Sequence, residues 1–406
     1  MYFLYIKLYI NVFLEGNNIE GDGKVSEKRI GLITFSRAHN YGSVLQAYAL
    51  QKKIQQFPGV KCEIIDFSNN AQIEMYSIFK TKCTIKNVVK NAIALLFYPL
   101  MKREYMDFEK FIVTNLQLSS TQYTDETSLK ELNNEYEMFV TGSDQVWNIK
   151  CLDADDAYFL SFVSEKPKIA YAPSFGAQNI CECSEHPEKY EHYLKQFSNI
   201  SIRENNGRIW LKKLINKDVP VLIDPTMFYT KEEWYPLMSE PLYDQPYILY
   251  YSFHFTQEIN KVVKRISKKL GLPVIILSAH AWIYNLCAMY GFKLARHAGP
   301  QEFLRLINDA EIVLSNSFHG TVFSTIFEKN FWFLYGSIQD ENDDRAKTLV
   351  QQMGIEDRIL NITDIDKCDF NKIPDYKKVA NNLQRLRKEA FDYLNEALLI
   401  EKSNMK

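Results

Sequence analysis

The stretch Glu311-Ile-Val-Leu-Ser315-Asn-Ser-Phe-His319-Gly-Thr321 runs a short apolar segment into a hydroxyl-rich turn that opens a helical stretch over 321–327. A buried strand that ends in such a turn and feeds a helix is the basic step of an α/β fold. The same step recurs on both sides of it. Apolar runs at 31–35, 62–66, 138–141, 168–172, 200–203 and 219–224 read as strands, with a helix at 44–56 and an irregular helical insertion at about 71–135. After a proline-bearing stretch at 227–246, runs at 247–251, 273–277, 311–315 and 331–335 restart the pattern, with helices at 256–270 and 300–308. Short apolar runs separated by helices predict mostly parallel sheets covered on both faces, wound right-handedly. The expected architecture is α/β: two Rossmann-like domains with a central cleft, over 29–226 and 247–373, joined by the linker at 227–246. A last helix within 374–406 is expected to pack back on the first domain.

Composition bounds the function. The 406 residues exceed one ordinary core and suit two domains. A net charge of −2 gives no global basic excess, so no nucleic-acid partner is expected and any anion site must be local. The seven cysteines are scattered, and Cys181-Glu182-Cys183 lacks the spacing of a zinc or redox motif. They read as reduced thiols of a cytoplasmic protein. His254, His280 and His297 lack ligand spacing, so no metal is expected. Residues 1–14, MYFLYIKLYINVFL, are apolar but too short to span a bilayer and carry Lys7 and Asn11. They read either as a membrane-facing tail or as an extension before the first domain, and not as a signal peptide.

Four clusters fall just past strand ends, where such folds hold ligands. His39-Asn40-Tyr41-Gly42-Ser43 offers a close backbone approach at Gly42 and helix-start amides that suit an anion, with Ser43 as cap; a plain tight turn is the other reading. Gly142-Ser143-Asp144-Gln145 sets three polar side chains at a sheet edge, either as a site or as an ordinary cap. Arg203 ends a buried strand, where its fork meets either an anionic ligand or an acid such as Glu204. In the opening stretch Ser315, Ser317, Gly320 and Thr321 surround His319 at a helix start, a placement that favours phosphate. Asp224-Pro225-Thr226 reads as a strand-ending turn, and the charged loop 340–345 as a solvated face. Most of the 25 tyrosines and 26 phenylalanines must be core, leaving some to stack on sugar rings.

The ordered set Asn40-Tyr41-Gly42-Ser43, Gly142-Ser-Asp-Gln-Val-Trp-Asn148, Ser201-Ile-Arg-Glu204, Asp224-Pro-Thr226 and Ser317-Phe-His-Gly320 resembles the polysaccharide pyruvyl transferase family over roughly residues 29–353. The resemblance implies a GT-B-like architecture. It also implies transfer of pyruvate from phosphoenolpyruvate onto two hydroxyls of a saccharide, forming a cyclic ketal in capsule, exopolysaccharide or cell-wall glycan synthesis in a bacterium. Phosphoenolpyruvate is then a donor substrate and no cofactor is needed. Arg203 and His319 would bind it across the cleft, His319 stabilising phosphate or acting as general acid, and Asp144 would orient or deprotonate the acceptor. Two other classes fit the same pattern. A GT-B glycosyltransferase would add a sugar from a nucleotide sugar, and a non-catalytic relative would bind the anion without releasing phosphate.

The acceptor is less legible. Residues 80–103 hold Lys80, Lys82, Lys86, Lys90, Lys102 and Arg103, no Asp or Glu, and the run Ala92-Ile-Ala-Leu-Leu-Phe-Tyr98. This reads either as a helix packed on the first domain with a solvated basic face, or as a contact with the inner face of the plasma membrane, suiting a lipid-linked acceptor.

Overall fold

The computed structural model describes residues 27–336 and 342–399. The apolar segment at 1–14 and residues 340 and 341 of the charged loop lie outside them. Among the described residues, twelve strands form two six-stranded sheets, parallel throughout. The first contains β1 (Lys28–Ile33), β2 (Val60–Phe67), β3 (Leu118–Tyr123), β4 (Met138–Thr141), β5 (Lys168–Ala170) and β6 (Asn199–Ile200), in spatial order β3-β2-β1-β4-β5-β6. The second contains β7 (Ile248–Tyr251), β8 (Val274–Ile276), β9 (Lys293–Leu294), β10 (Ile312–Ser315), β11 (Phe331–Tyr335) and β12 (Ile359–Asn361), in order β12-β11-β10-β7-β8-β9. Each order is the doubly wound 3-2-1-4-5-6 pattern, which opens a crevice where the winding reverses. That reversal lies between β1 and β4 in one sheet and between β7 and β10 in the other. β4, β7 and β10 are buried along their whole length, as strands covered on both faces must be.

The helices used below are α1 (Tyr41–Ile54), α2 (Asn70–Tyr76), α3 (Ile85–Leu96), α4 (Tyr98–Asn115), α5 (Asn205–Ile215), α6 (Ala279–Tyr284), α7 (Pro300–Asp309), α8 (Phe318–Ile326), α9 (Arg345–Met353) and α10 (Tyr376–Leu398). One apolar cluster passes from Leu32 and Val44 through Trp234 to Leu249 and Phe303, so both sheets share a core. Tyr41 is a rivet between them. Its ring stacks on Phe303 at 4.9 Å and its hydroxyl donates to Ala298 O at 2.9 Å.

The stretch expected as a linker is structured. Thr230 and Glu233 form a capping box around a short helix, and Trp234 is buried edge-on against Phe323 of α8. In α10, Arg387 donates to Met227 O and Tyr229 O, and Tyr393 donates to Ala170 O beside the first sheet.

Candidate active site

The two winding reversals face each other, and the loops that leave β1, β4 and β10 converge there with Arg203 and Asp224. Ser43 Oγ donates to Asp144 Oδ2 at 2.6 Å, and Arg203 Nη2 reaches Asp144 Oδ1 at 3.4 Å. Arg203 Nη1 donates to Asp224 Oδ2 at 2.9 Å, and His319 Nε2 meets that same oxygen at 3.2 Å. The result is a continuous chain, Ser43–Asp144–Arg203–Asp224–His319, that joins groups from both halves of the molecule. Its charged side chains are nearly sealed, with Arg203 1%, Asp224 0%, Asp144 8% and His319 7% exposed.

Local backbone explains how each member is held. Asp144 has φ of 71°, in the left-handed region that Asp tolerates better than most residues, and its Oδ1 accepts from Gln145 N at 2.8 Å. Asp224 is the cap of a 3₁₀ turn, its Oδ1 accepting from Thr226 N at 3.1 Å and Thr226 Oγ1 at 2.7 Å. That leaves Oδ2 for the arginine and the histidine. The Phe318 ring lies under the guanidinium, its centroid 4.3 Å from the guanidinium carbon.

Burial pushes the Asp224 carboxyl up, but His319, Arg203 and Thr226 outweigh it and hold it well below the usual carboxylate range. Burial likewise opposes ionisation of Asp144, and Arg203, His319 and the Ser43 hydroxyl reverse the balance. Both carboxylates are therefore charged around the arginine. An ionised Asp224 accepts only, so His319 Nε2 carries the proton toward it, and Nδ1 faces α1. A Cβ on Gly42 would stand 1.9 Å from that Nδ1, so the ring fits only against glycine.

Each residue singled out in the sequence has a place here. Asn40, rather than Ser43, caps α1, accepting from Gly42 N at 3.0 Å and Ser43 N at 3.4 Å, so those amides are engaged rather than free for an anion. Tyr41 is committed to the contact between the sheets. Gly142 has φ of 110° and lies against Tyr171 O, which a Cβ would meet at 2.2 Å. Ser143 is buried, with its hydroxyl on Ala172 O and its amide on Gln46. Gln145 is half-buried beside Asn148.

The opening turn is tighter than expected. α8 begins at Phe318, not at Thr321, so His319 belongs to its first turn, and Ser317 Oγ caps Gly320 N. Ser315 Oγ donates to Tyr251 O and accepts from Ser317 N, while Thr321 Oγ1 donates to Ser317 O. These hydroxyls shape the turn, and the groups that face across the cleft are Arg203, Asp144, Asp224 and His319. Arg203 finds acids as one sequence reading allowed, but they are Asp144 and Asp224 rather than Glu204.

Sequence reading missed three groups. Asp224, read as a plain turn residue, is the acid shared by both cations. Arg345, placed on a solvated face, starts α9 with its side chain mostly covered and paired to Asp343 at 2.7 and 2.6 Å. Burial opposes its charge, but Asp343, Glu204 and Asp144 more than compensate, which sets this second cation within reach of the network's field. The neighbouring Asp344 accepts from Asn206 N of α5 at 3.0 Å, tying the loop across the cleft.

Glu204 is the third. Fully buried, it accepts from Phe175 N at 2.8 Å, and burial pushes its carboxyl up to about 7 against the pull of Arg203. Arg203 Nε and Glu204 Oε2 are buried without hydrogen-bond partners. Such atoms cost about 1–3 kcal/mol each and are characteristic of sites built for something else besides stability.

Glu204 gives a pH prediction. Its pKa is raised on folding, so its contribution is complete below the unfolded value of 4.5 and is lost as pH rises through about 7. Stability should fall by on the order of 1–3 kcal/mol across that window, and Glu204→Gln should flatten the slope. Urea unfolding midpoints at pH 5 and 8 check this; equal slopes in both proteins would refute it.

Two doubly wound sheets that face each other across a charged cleft define a GT-B-like α/β protein. The sequence model of the polysaccharide pyruvyl transferase family matches residues 40–337, and the chain belongs to that family. Among solved structures it is similar to a UDP-N-acetylglucosamine 2-epimerase, at 11% identity and a TM-score of 0.52 over 92% of this chain and 95% of that one. It is also similar to the UDP-GlcNAc 2-epimerase of Methanocaldococcus jannaschii, at 10% identity and a TM-score of 0.50 over 89% and 99%. At such identities these likenesses show the fold alone. No curated protein matches the chain.

Proposed function

We propose that the protein transfers pyruvate from phosphoenolpyruvate onto two hydroxyls of a saccharide, forming a cyclic ketal and releasing phosphate. The observation that carries this reading is the sharing of one Asp224 oxygen by Arg203 and His319 from opposite halves of the molecule. A donor that bears a carboxylate and a phosphate calls for separate cationic groups at a closing cleft, and membership of the family supplies the reaction class. Protonation of the donor's methylene carbon creates an oxocarbenium-like centre at the adjacent carbon. One sugar hydroxyl attacks that centre, phosphate leaves, and the second hydroxyl closes the ketal.

In this scheme Arg203 neutralises the donor carboxylate. His319, held by Asp224, serves the phosphate or the proton transfer, and Asp144 orients or deprotonates the acceptor hydroxyl. Asn40, Tyr41, Gly42, Ser43, Gly142, Ser143, Gln145, Ser315, Ser317, Gly320 and Thr321 frame the donor and acceptor subsites. The acceptor is a saccharide, and a lipid-linked one handled at the inner membrane face is the form we favour. No helix among the described residues is long and apolar enough to cross a membrane.

Phosphate release from phosphoenolpyruvate across a panel of lipid-linked and nucleotide-linked sugars tests the reading. Release with at least one acceptor supports it, and no release with any would count against it. In the same assay Gly42→Ala should lower turnover at least about 10-fold, since the new methyl displaces the His319 ring by a distance that disrupts alignment. The helix itself should tolerate alanine at this position. Full turnover by Gly42→Ala would show that the ring's seat does not matter.

A further inference from the structure

Helix α3 is amphipathic in the wrong sense for a soluble surface. Ile85, Val88, Val89, Ala92, Leu95 and Leu96 recur at i, i+3, i+4, i+7, i+10 and i+11, which gathers them on one face. That face points outward, with Ile85 87%, Val88 56%, Val89 54%, Leu95 70% and Leu96 75% exposed. The opposite side is the anchored one. Ala94 is buried in a small cluster with Met101, Ala279 and Ile283, and Tyr284 Oη of α6 donates to Lys90 O at 3.2 Å. Glu104 Oε2 of α4 accepts from Ala279 N at 2.9 Å, fixing the insertion to the second half of the molecule. The apolar face is thus presented on a braced platform.

Its surroundings are basic. Lys82 and Lys86 are exposed and Lys90 half-buried, and no Asp or Glu occurs from 80 to 103. The nearest acids are occupied, Glu74 by Thr81 and Glu104 by the start of α6. A contiguous exposed apolar patch marks an interaction surface. An apolar helix face bordered by lysines matches a surface with anionic headgroups above acyl chains, because the side chains enter the boundary while the ammonium groups stay at headgroup level.

We infer that α3 docks the protein on an anionic lipid bilayer, with Ile85, Val88, Val89, Leu95 and Leu96 inserted and Lys82 and Lys86 on the headgroups. Behind the helix lies a cavity of about 300 Å³, lined by Lys80, Lys90, Met101 and Glu104 on one side and by His280 and Tyr284 on the other. His39, in the loop after β1, also borders this cavity. The inference is independent of the pyruvyl reading and stands or falls without it.

Co-sedimentation of the full chain with vesicles of phosphatidylcholine, with and without phosphatidylglycerol, tests it. Binding is expected only with phosphatidylglycerol and should weaken as salt is raised. Each lysine near an anionic surface strengthens binding about fivefold, so Lys82→Glu with Lys86→Glu should weaken it by more than about 25-fold. Leu95→Asp with Leu96→Asp should abolish it with an unchanged thermal melt, since both side chains are exposed. No binding by the parent protein, or equal binding by both variants, would overturn the inference. So would a vesicle-free dimer that Leu95→Asp with Leu96→Asp dissociates, which would assign the face to a second copy of the chain.

Discussion

Arg203→Ala should unfold at markedly lower denaturant than the parent, with a loss of about 3–5 kcal/mol, and should lose turnover as well. Arg203 is the cation between Asp144 and Asp224, all three nearly sealed from water. Removing it leaves two buried carboxylates with His319 and hydroxyl or amide donors as their remaining support. Leaving a buried charge unpaired is far more costly than losing an exposed ion pair, which contributes about 0–1 kcal/mol. Lysine should recover only part of the loss, because one ammonium cannot span both acids as a planar fork does. Chemical denaturation of the three proteins at neutral pH checks this. An Arg203→Ala protein as stable as its parent would mean that the two acids are not held ionised around the guanidinium.

His319→Ala should behave in the opposite way, remaining folded while turnover falls about 10²–10⁴-fold, the usual contribution of a positioned acid or base. Asp224 keeps Arg203 and Thr226 as partners when the ring is removed, so the network survives. The cavity left against Gly42 and Phe318 is small and borders the cleft. On the proposed scheme, the comparison of the two variants separates roles that lie within one hydrogen-bond chain: Arg203 joins stability to function, whereas His319 serves function. Steady-state phosphate release beside a thermal melt distinguishes them. A His319→Ala enzyme with full turnover would remove the histidine from the chemistry.

The core of this fold was legible because its central strands are short apolar runs with clear breaks. β4 and β11 fall where the sequence placed them, β7, β8 and β10 within one residue at either end, and β1 starts three residues earlier and ends two earlier than expected. The strands that escaped are β3, β9 and β12. All three lie outermost or at the rim of their sheets, with a neighbour on one side only. β3 reads Leu-Ser-Ser-Thr-Gln-Tyr, with four consecutive polar residues, and β9 has two residues, so neither carries an apolar period to detect. The run at 219–224 was overread, because Val221 makes only an isolated bridge to Ile202 there.

At the site, residue types that face ligands at strand ends could be recognised locally, which is why Arg203, His319 and Asp144 stood out. Asp224 could not be recognised in that way. Its partners lie 21 and 95 positions away in the chain, and its own neighbours form an unremarkable Asp-Pro-Thr turn. Arg345 was misread because a run of charged residues ordinarily marks a solvated loop, whereas here Asp343 and the field of Glu204 and Asp144 stabilise its covered charge. The amphipathic insertion shows the same limit. Its apolar run and its basic residues were visible in the sequence, but the direction of its apolar face was set by contacts with α6, far along the chain.

The central claim is that one cleft, closed around Arg203, Asp224 and His319, moves pyruvate onto a saccharide. It is tested most directly by the mass of the acceptor after incubation with phosphoenolpyruvate and the parent protein, and again with His319→Ala. The expected product carries the added mass of pyruvic acid less one water, appears with stoichiometric phosphate and is absent with the variant. An acceptor that gains a hexose from a nucleotide sugar while phosphoenolpyruvate remains intact would contradict the account.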